Sequence, residues 1–218
     1  MGVPSKVGSL SSMSIVGDFL YVLDLNYLVS FDISDPESVE QKFGRYVDNR
    51  VETTFSMDDY LLIGGDFGVY AYEVESNGRF SPVSRFTHAR ACDPVVADRE
   101  YMYITLRSAP GCIDENGESN VLKVVNITDI RRPKLVQNYP MKSPIGLTLS
   151  DDVLFVCDHD SLKVYDKSNP EDLRFVTSEI VPGCVDVIHN QDSIIITAKE
   201  KLFQFEFVDE KLKLLSVI

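Results

Sequence analysis

Hydrophobic and polar positions along this 218-residue chain repeat in a unit of about 40 residues. The unit is clearest over 162–172, where apolar and polar residues alternate along one strand, an aspartate ends the strand and Ser-Asn-Pro makes a turn. Segments 28–38 and 122–133 are further copies, and segments 69–73 and 202–206 are weaker copies with altered turns. The pattern therefore predicts a repeat protein.

Tight polar turns mark the same unit along the whole chain. Their last residues are Asp18, Asp59, Glu100, Asp152 and Asp192, at spacings of 41, 41, 52 and 40 residues. A strand rich in β-branched and aromatic residues follows each turn. The polar end of the next strand comes 14 residues after four of these turns, at Asp32, Glu73, Asp166 and Glu206. In the third unit Asn126 takes this place, after an insertion of 12 residues.

Each unit divides into four strands, and no stretch sustains the spacing of an amphipathic helix. The two middle strands are apolar on both faces, which is typical of a sheet covered on both sides by neighbouring sheets. Four antiparallel strands in such a unit are typical of a propeller blade. We therefore predict an all-β fold, a single five-bladed β-propeller with four antiparallel strands per blade and blades at about 10–48, 49–89, 90–142, 143–182 and 183–218.

No strand is visibly exchanged between the two ends of the chain, so we expect side-chain packing between the first and last blades to close the ring. Residues 3–9 would assist this packing. The alternative is a fragment of a larger propeller.

The strand pattern Leu-x-Val-x-Asp followed by Ser or Asn, any residue and Pro resembles the LVIVD repeat. The likeness is strongest at 28–38 and 162–172, good at 122–133, and loose in the second and fifth units. The resemblance implies a β-propeller, often exported and lipid-anchored in bacteria, without a defined activity.

The charge balance excludes some partners. The net charge of −13 does not suit nucleic acid or anionic lipid, both of which attract basic surfaces. The chain has no apolar run long enough for a membrane helix, and its first residues lack the apolar core of a signal peptide. Taken with the family resemblance, we expect an extracytoplasmic protein, in the periplasm or at the cell surface, as a lipoprotein whose leader is absent from this chain. A cytoplasmic location is the alternative.

The repeats differ most on one face of the predicted propeller, here called the top face, which carries the connections between the second and third strands of each blade and those between blades. The polar turns and Pro turns belong to the opposite, bottom face and have a structural explanation, because Asp, Asn, Gly and Pro form tight turns. The top face carries the insertion 108–119 and the segment 88–93, both in the third blade. This part of the chain is our first choice for a functional region.

The four cysteines also lie toward the top face. Cys92 and Cys112 emerge from the same blade, so they form either a disulfide that restrains the insertion or two free thiols. A bridge between Cys157 and Cys184 would join two blades, and we expect these two residues to be buried free thiols instead.

Charged residues at the top face form the candidate ligand site. The predicted residues are His88, Arg90, Asp93, Arg107, Asp24, Asp66, Asp158, His159 and Asp160. Two arginines could bind a carboxylate through paired N–H donors, or they could neutralise the local aspartates. We predict no metal site and no cofactor, with Ca²⁺ as an alternative because of Asp158 and Asp160.

We therefore expect a monomeric, non-catalytic binding or scaffold propeller that recognises a protein or carbohydrate through its top-face loops. The alternative is a glycoside hydrolase that uses two carboxylates among Asp24, Asp66, Asp93 and Asp158. The chain has no tryptophan to stack on sugar rings and no Gly-x-Ser-x-Gly nucleophile motif, so we favour the binding function.

Overall fold

A computed structural model describes residues 10–48, 50–88, 94–108 and 120–218. These residues form twenty antiparallel β-strands and no helix. Sheet 1 contains β1 (Met13–Val16), β2 (Phe19–Asp24), β3 (Tyr27–Asp32) and β4 (Glu40–Tyr46). Sheet 2 contains β5 (Val51–Met57), β6 (Tyr60–Gly65), β7 (Gly68–Val74) and β8 (Phe80–Thr87).

The remaining strands form three more sheets of the same kind. Sheet 3 contains β9 (Val95–Ala97), β10 (Tyr101–Leu106), β11 (Val121–Asn126) and β12 (Lys134–Pro140). Sheet 4 contains β13 (Pro144–Ser150), β14 (Val153–Asp158), β15 (Ser161–Asp166) and β16 (Arg174–Ile180). Sheet 5 contains β17 (Cys184–Asn190), β18 (Ser193–Ala198), β19 (Leu202–Val208) and β20 (Lys211–Val217). The predicted fold class, an all-β propeller of five four-stranded antiparallel sheets, is confirmed.

The five sheets repeat one another in detail. Each pairs its four strands in chain order, and each has one register irregularity between its third and fourth strands. The first residue of the turn between the first two strands has positive φ at Gly17, Asp58, Asp151 and Gln191. Such a residue suits a two-residue hairpin turn, which explains why glycine, aspartate and an amide recur there.

The hydrophobic core lies between the sheets. One cluster of buried side chains joins sheets 1 and 2, a second joins sheets 2, 3 and 4, and a third joins sheets 4 and 5. Polar links accompany this packing. Ser14 and Thr54 share a hydrogen bond of 2.8 Å between sheets 1 and 2, and the Thr105 hydroxyl donates to the Ile145 carbonyl at 2.5 Å between sheets 3 and 4.

The first strands of successive sheets pack side by side, in the order β1, β5, β9, β13 and β17. Over the described part of the chain, no packing of comparable extent joins sheet 1 to sheet 5. The side-chain packing predicted between the first and last blades is therefore not found among these residues. Sequence could not decide this point, because closure depends on the angle between successive sheets.

Candidate functional site

The top-face connections contain the predicted site residues. Asp24, Asp66, Asp158, His159 and Asp160 lie at the ends of second strands or in the turns that follow them, while His88 and Arg107 come directly after β8 and β10. Arg90, Asp93, Cys92 and Cys112 lie outside the described residues, so their predicted roles stay predictions.

Asp158 is fully buried and organises the connection between sheets 3 and 4. Its carboxylate accepts hydrogen bonds from the backbone N–H groups of Lys142, at 2.9 and 3.2 Å, and Ser143, at 2.7 Å. The Lys163 ammonium lies 2.6 Å from the same carboxylate. These contacts use most of the acceptor positions of the carboxylate. They give Asp158 a structural role in this connection.

His159 and Asp160 form the exposed tip of the turn between β14 and β15. His159 has a positive φ of 61°, and its Nδ1 lies 3.1 Å from the Asp160 carboxylate. The other Asp160 oxygen accepts a hydrogen bond of 2.8 Å from the Gly183 backbone N–H. Asp160 therefore connects the top of sheet 4 to the start of sheet 5.

Asp66 and Arg107 belong to a set of charged residues from sheets 2 and 3, here called the top-face charge cluster: Arg50, Glu52, Asp66 and Arg107. Asp66 is buried, and the Arg50 guanidinium lies 3.1 Å from its carboxylate. Burial raises the pKa of the Glu52 carboxyl, the nearby Asp66 charge raises it further, and the Arg107 charge lowers it. The tertiary structure thus brings Asp66 and Arg107 within electrostatic range of Glu52, and it pairs Arg50 with Asp66.

Two members of this cluster, Arg50 and Glu52, were not among the residues predicted from sequence. Arg50 lies in the connection between β4 and β5, which reaches the same face as the Asp66 turn. Glu52 is the one charged residue of β5, the first strand of its sheet. A charged residue within the first strand of a sheet was the available signal.

Asp24 and His88 occupy other positions. Asp24 is exposed and is the cross-strand partner of Tyr27, on the side of sheet 1 that faces away from sheet 2. The His88 ring lies 6.4 Å from the Phe86 ring, centroid to centroid. Asp24 therefore faces away from the top-face charge cluster.

Cys157 and Cys184 form a disulfide, so the expectation of two free thiols at these positions is wrong. Both residues are buried, and their Cα atoms are 5.4 Å apart, within the usual range for a bridge. The reason is tertiary, because β14 packs against β17 at the interface between sheets 4 and 5. Cysteines in different sheets are therefore close enough to bond.

The bottom-face aspartates have the structural role that the sequence predicts. The side chains of Asp32, Asn126 and Asp166 each accept a hydrogen bond from the backbone N–H two residues later. The bonds from Ser168 and the Arg174 guanidinium lower the pKa of Asp166 to about 2. Glu73 and Glu206 instead pair with Arg131 and Lys213.

Within the described ranges, no group of three or more His, Cys, Asp or Glu side chains is arranged to bind a metal ion. Among the same residues, no helix is long and apolar enough to cross a membrane.

Comparison with known proteins supports the predicted repeat. Residues 7–46 match the model of the LVIVD repeat, which confirms the predicted resemblance. A comparison with curated proteins gives no match.

Solved structures share the fold at low sequence identity. A functionally unknown protein from Desulfotomaculum acetoxidans is 11% identical with a TM-score of 0.77, over 94% of this chain and 68% of that chain. A protein from Lactobacillus plantarum is 13% identical with a TM-score of 0.76, over 92% and 67%. The periplasmic gluconolactonase of Pseudomonas aeruginosa is 13% identical with a TM-score of 0.60, over 96% and 85%. At these identities the likeness shows the fold alone.

Proposed function

We propose that this propeller is an exported, non-catalytic binding protein that recognises an acidic group on a protein or glycan through its top face. The observation that carries the proposal is the top-face charge cluster, in which Arg50 pairs with Asp66 and the Arg107 charge acts on Glu52, in a protein with a net charge of −13. A rigid set of sheets that displays variable loops suits recognition.

The two arginines have different surroundings. Arg50 pairs with the buried Asp66, so its position is tied to the sheet. Arg107 is partly exposed, and its charge acts electrostatically on the Glu52 carboxyl at longer range. A guanidinium binds a carboxylate through two parallel N–H donors. Arg107 is therefore the residue we assign to the ligand, because the Arg50 guanidinium, although more than half exposed, is already paired with Asp66.

A thermal-shift screen tests this assignment. The probes are glucuronate, glucose, a Glu-rich peptide and Ca²⁺. We expect glucuronate or the acidic peptide to raise the melting temperature, and Arg107→Gln to abolish the shift. Arg132→Gln, in an exposed bottom-face turn, is the matched control and should leave the shift intact. Equal shifts for glucose and glucuronate, or a shift that survives Arg107→Gln, would contradict the proposal.

The Cys157–Cys184 disulfide supports an extracytoplasmic location, because structural disulfides persist in oxidising compartments. Fractionation of the native cells, with thiol labelling of each fraction, tests this point. We expect the protein outside the cytoplasm with both cysteines protected from the label. Recovery in the cytoplasm with labelled Cys157 would contradict export.

The glycoside hydrolase alternative gains no support from Asp66 and Asp158. Asp66 is buried beside Arg50, and Asp158 is occupied by two backbone donors and Lys163. A hydrolase needs one of its two carboxyls placed to protonate the leaving group. Turnover of chromogenic glycosides that is lost in an Asp158→Asn variant shown to remain folded would establish the alternative.

A further inference from the structure

The outer face of sheet 1, on the side away from sheet 2, is largely apolar, with Asp24 near its top end. Strand pairing places two rows of side chains across it: Ile15, Leu20 and Phe31 in one row, and Met13, Val22 and Val29 in the next. Met13 and Ile15 are 52% and 55% exposed. Tyr27 and Tyr46, which contact each other edge to face, extend the surface toward the top. Within the described residues, no strand of another sheet packs on this face.

The equivalent face of every other sheet is covered. Leu20 and Val22 stand two and four residues after Asp18, the end of their tight turn. Residues at the same two places in sheets 2 to 5 are at most 2% exposed: Leu61, Ile63, Met102, Ile104, Leu154, Val156, Ile194 and Ile196. Each of those pairs belongs to a hydrophobic cluster shared with the preceding sheet, whereas Leu20 and Val22 remain partly exposed. Sheet 1 therefore has the side chains of a sheet that packs against a preceding sheet.

The far side of sheet 5 is also uncovered, but it is more polar. Ile195 is partly exposed there, although its equivalents Tyr21, Leu62, Tyr103 and Phe155 are buried. Beside it, the Gln204 amide donates to the Ser193 hydroxyl at 3.0 Å, and the Ser216 hydroxyl donates to the Gln204 carbonyl oxygen at 3.3 Å. The outer face of sheet 1 is thus the more apolar of the two uncovered faces.

Size identifies the kind of partner. Five sheets correspond to 68% of the Desulfotomaculum acetoxidans chain, which at equal sheet size would have about seven. One four-stranded face measures about 20 by 20 Å, so one contact between two sheets buries about 800 Å². A second copy of this chain seated on sheet 1 would bury only that area, which is below the range of stable complexes. Two sheets inserted between sheets 5 and 1 would bury about 1,600 Å² against this chain, within that range.

We infer that the outer face of sheet 1 packs against a further pair of four-stranded β-sheets contributed from outside residues 10–218. The pair presents an apolar face to Ile15, Leu20 and Val22 and a more polar face to sheet 5. The inference concerns assembly of the propeller and does not depend on the ligand proposed above.

The test compares the 218-residue chain with a seven-sheet chain. In the longer chain, residues 10–88 are repeated ahead of residue 10 through a short Gly-Ser linker. The face of sheet 2 that normally contacts sheet 3 can then cover the original sheet 1. We expect the seven-sheet chain to be monomeric and to melt several degrees higher than the 218-residue chain.

Ile15→Lys in the original sheet 1 supplies the decisive comparison. It should lower the melting temperature of the seven-sheet chain by several degrees and leave that of the 218-residue chain unchanged, because Ile15 is exposed there. Val39→Lys, at an equally exposed residue (54%) before β4, should change neither chain. Three results would overturn the inference: Ile15→Lys destabilises the 218-residue chain by itself, the 218-residue chain is a dimer that Ile15→Lys dissociates, or the seven-sheet chain gains no stability.

Discussion

Cys157, at the end of β14, and Cys184, at the start of β17, connect sheets 4 and 5 through a disulfide that lies in the core between them. The bridge closes a loop of 27 residues, so it restricts the unfolded chain. It is the covalent counterpart of the hydrogen bonds that join the earlier sheets.

Removing this bridge should destabilise the protein. We expect Cys157→Ala with Cys184→Ala to lower the free energy of unfolding by about 2–4 kcal/mol, measured by denaturant titration. Reductant should lower the melting temperature of the native protein by a corresponding amount. The double variant lacks this bridge, so reductant cannot lower its melting temperature by opening it. The stabilising role would be refuted if reductant opened the bridge and the melting temperature of the native protein did not change.

Gly146 lies in close contact with β17, where the first strands of sheets 4 and 5 pack together. A Cβ atom there would contact the Asp186 carboxylate and would lie 2.6 Å from Asp186 Cα and 2.7 Å from the Val185 carbonyl oxygen. Two of these contacts are with backbone, which cannot move without displacing β17. Gly146→Ala should therefore cost about 1–3 kcal/mol of unfolding free energy.

Gly44 is the matched control for this substitution, since a Cβ atom in β4 would meet only side-chain atoms at 3.8 and 3.9 Å. Gly44→Ala should be neutral or slightly stabilising, because alanine loses less backbone entropy than glycine on folding. Equal losses for the two variants would show that the contact between β13 and β17 is not the cause.

Asp158 should be the most sensitive of the predicted top-face acids. Asp158→Ala removes the acceptor for two backbone N–H groups and leaves Lys163 without its buried partner. We expect a loss of about 3–5 kcal/mol in chemical denaturation. Asp160→Ala, in the exposed neighbouring turn, should cost less than about 1 kcal/mol. A larger loss for Asp160→Ala than for Asp158→Ala would contradict the structural role assigned to Asp158.

His189 should make stability depend on pH. Its ring is stacked on Phe155 at a centroid distance of 6.2 Å, and burial lowers the pKa of His189 below 6.5, although Asp151 and Asp192 act in the opposite direction. Just below pH 6.5, His189 therefore binds a proton more readily in the unfolded chain than in the folded protein. The contribution of neutral His189 to the free energy of unfolding is complete above pH 6.5. It declines as the pH falls toward the lowered pKa of the folded protein.

Melting temperatures measured in steps from pH 7.5 to 5 would test this behaviour. His189→Phe keeps an aromatic ring beside Phe155 but cannot titrate, so the decline in this window should become shallower. An unchanged profile in the variant would show that other groups cause the pH dependence.

Local chemistry explains what could be predicted from sequence. The caps at Asp32 and Asp166 involve a residue and its neighbour two positions later, so the chain pattern suffices to predict them. The same is true of the tight turns and of the alternation that defines the strands. Because every unit repeats these local signals, the propeller fold followed from the spacing alone.

The candidate site was only partly predictable. Asp66 and Arg107 were identified because they follow strand ends on the top face. Arg50 became visible only once β5 was paired with β6, and Glu52 only when sheets 2 and 3 were placed together. The role of Asp158 could not be inferred either, since its partners lie 15 and 16 residues away in the chain.

By itself, the sequence determined the number of sheets, their strands and their turns, because these depend on short-range periodicity and turn chemistry. Tertiary structure decided which side chains of different sheets meet, namely Cys157 with Cys184 and Ser14 with Thr54. It also decided that the apolar face of sheet 1 is uncovered among the described residues. The physical reason is that contacts between sheets depend on the angle at which neighbouring sheets pack, and no local pattern in the chain encodes that angle.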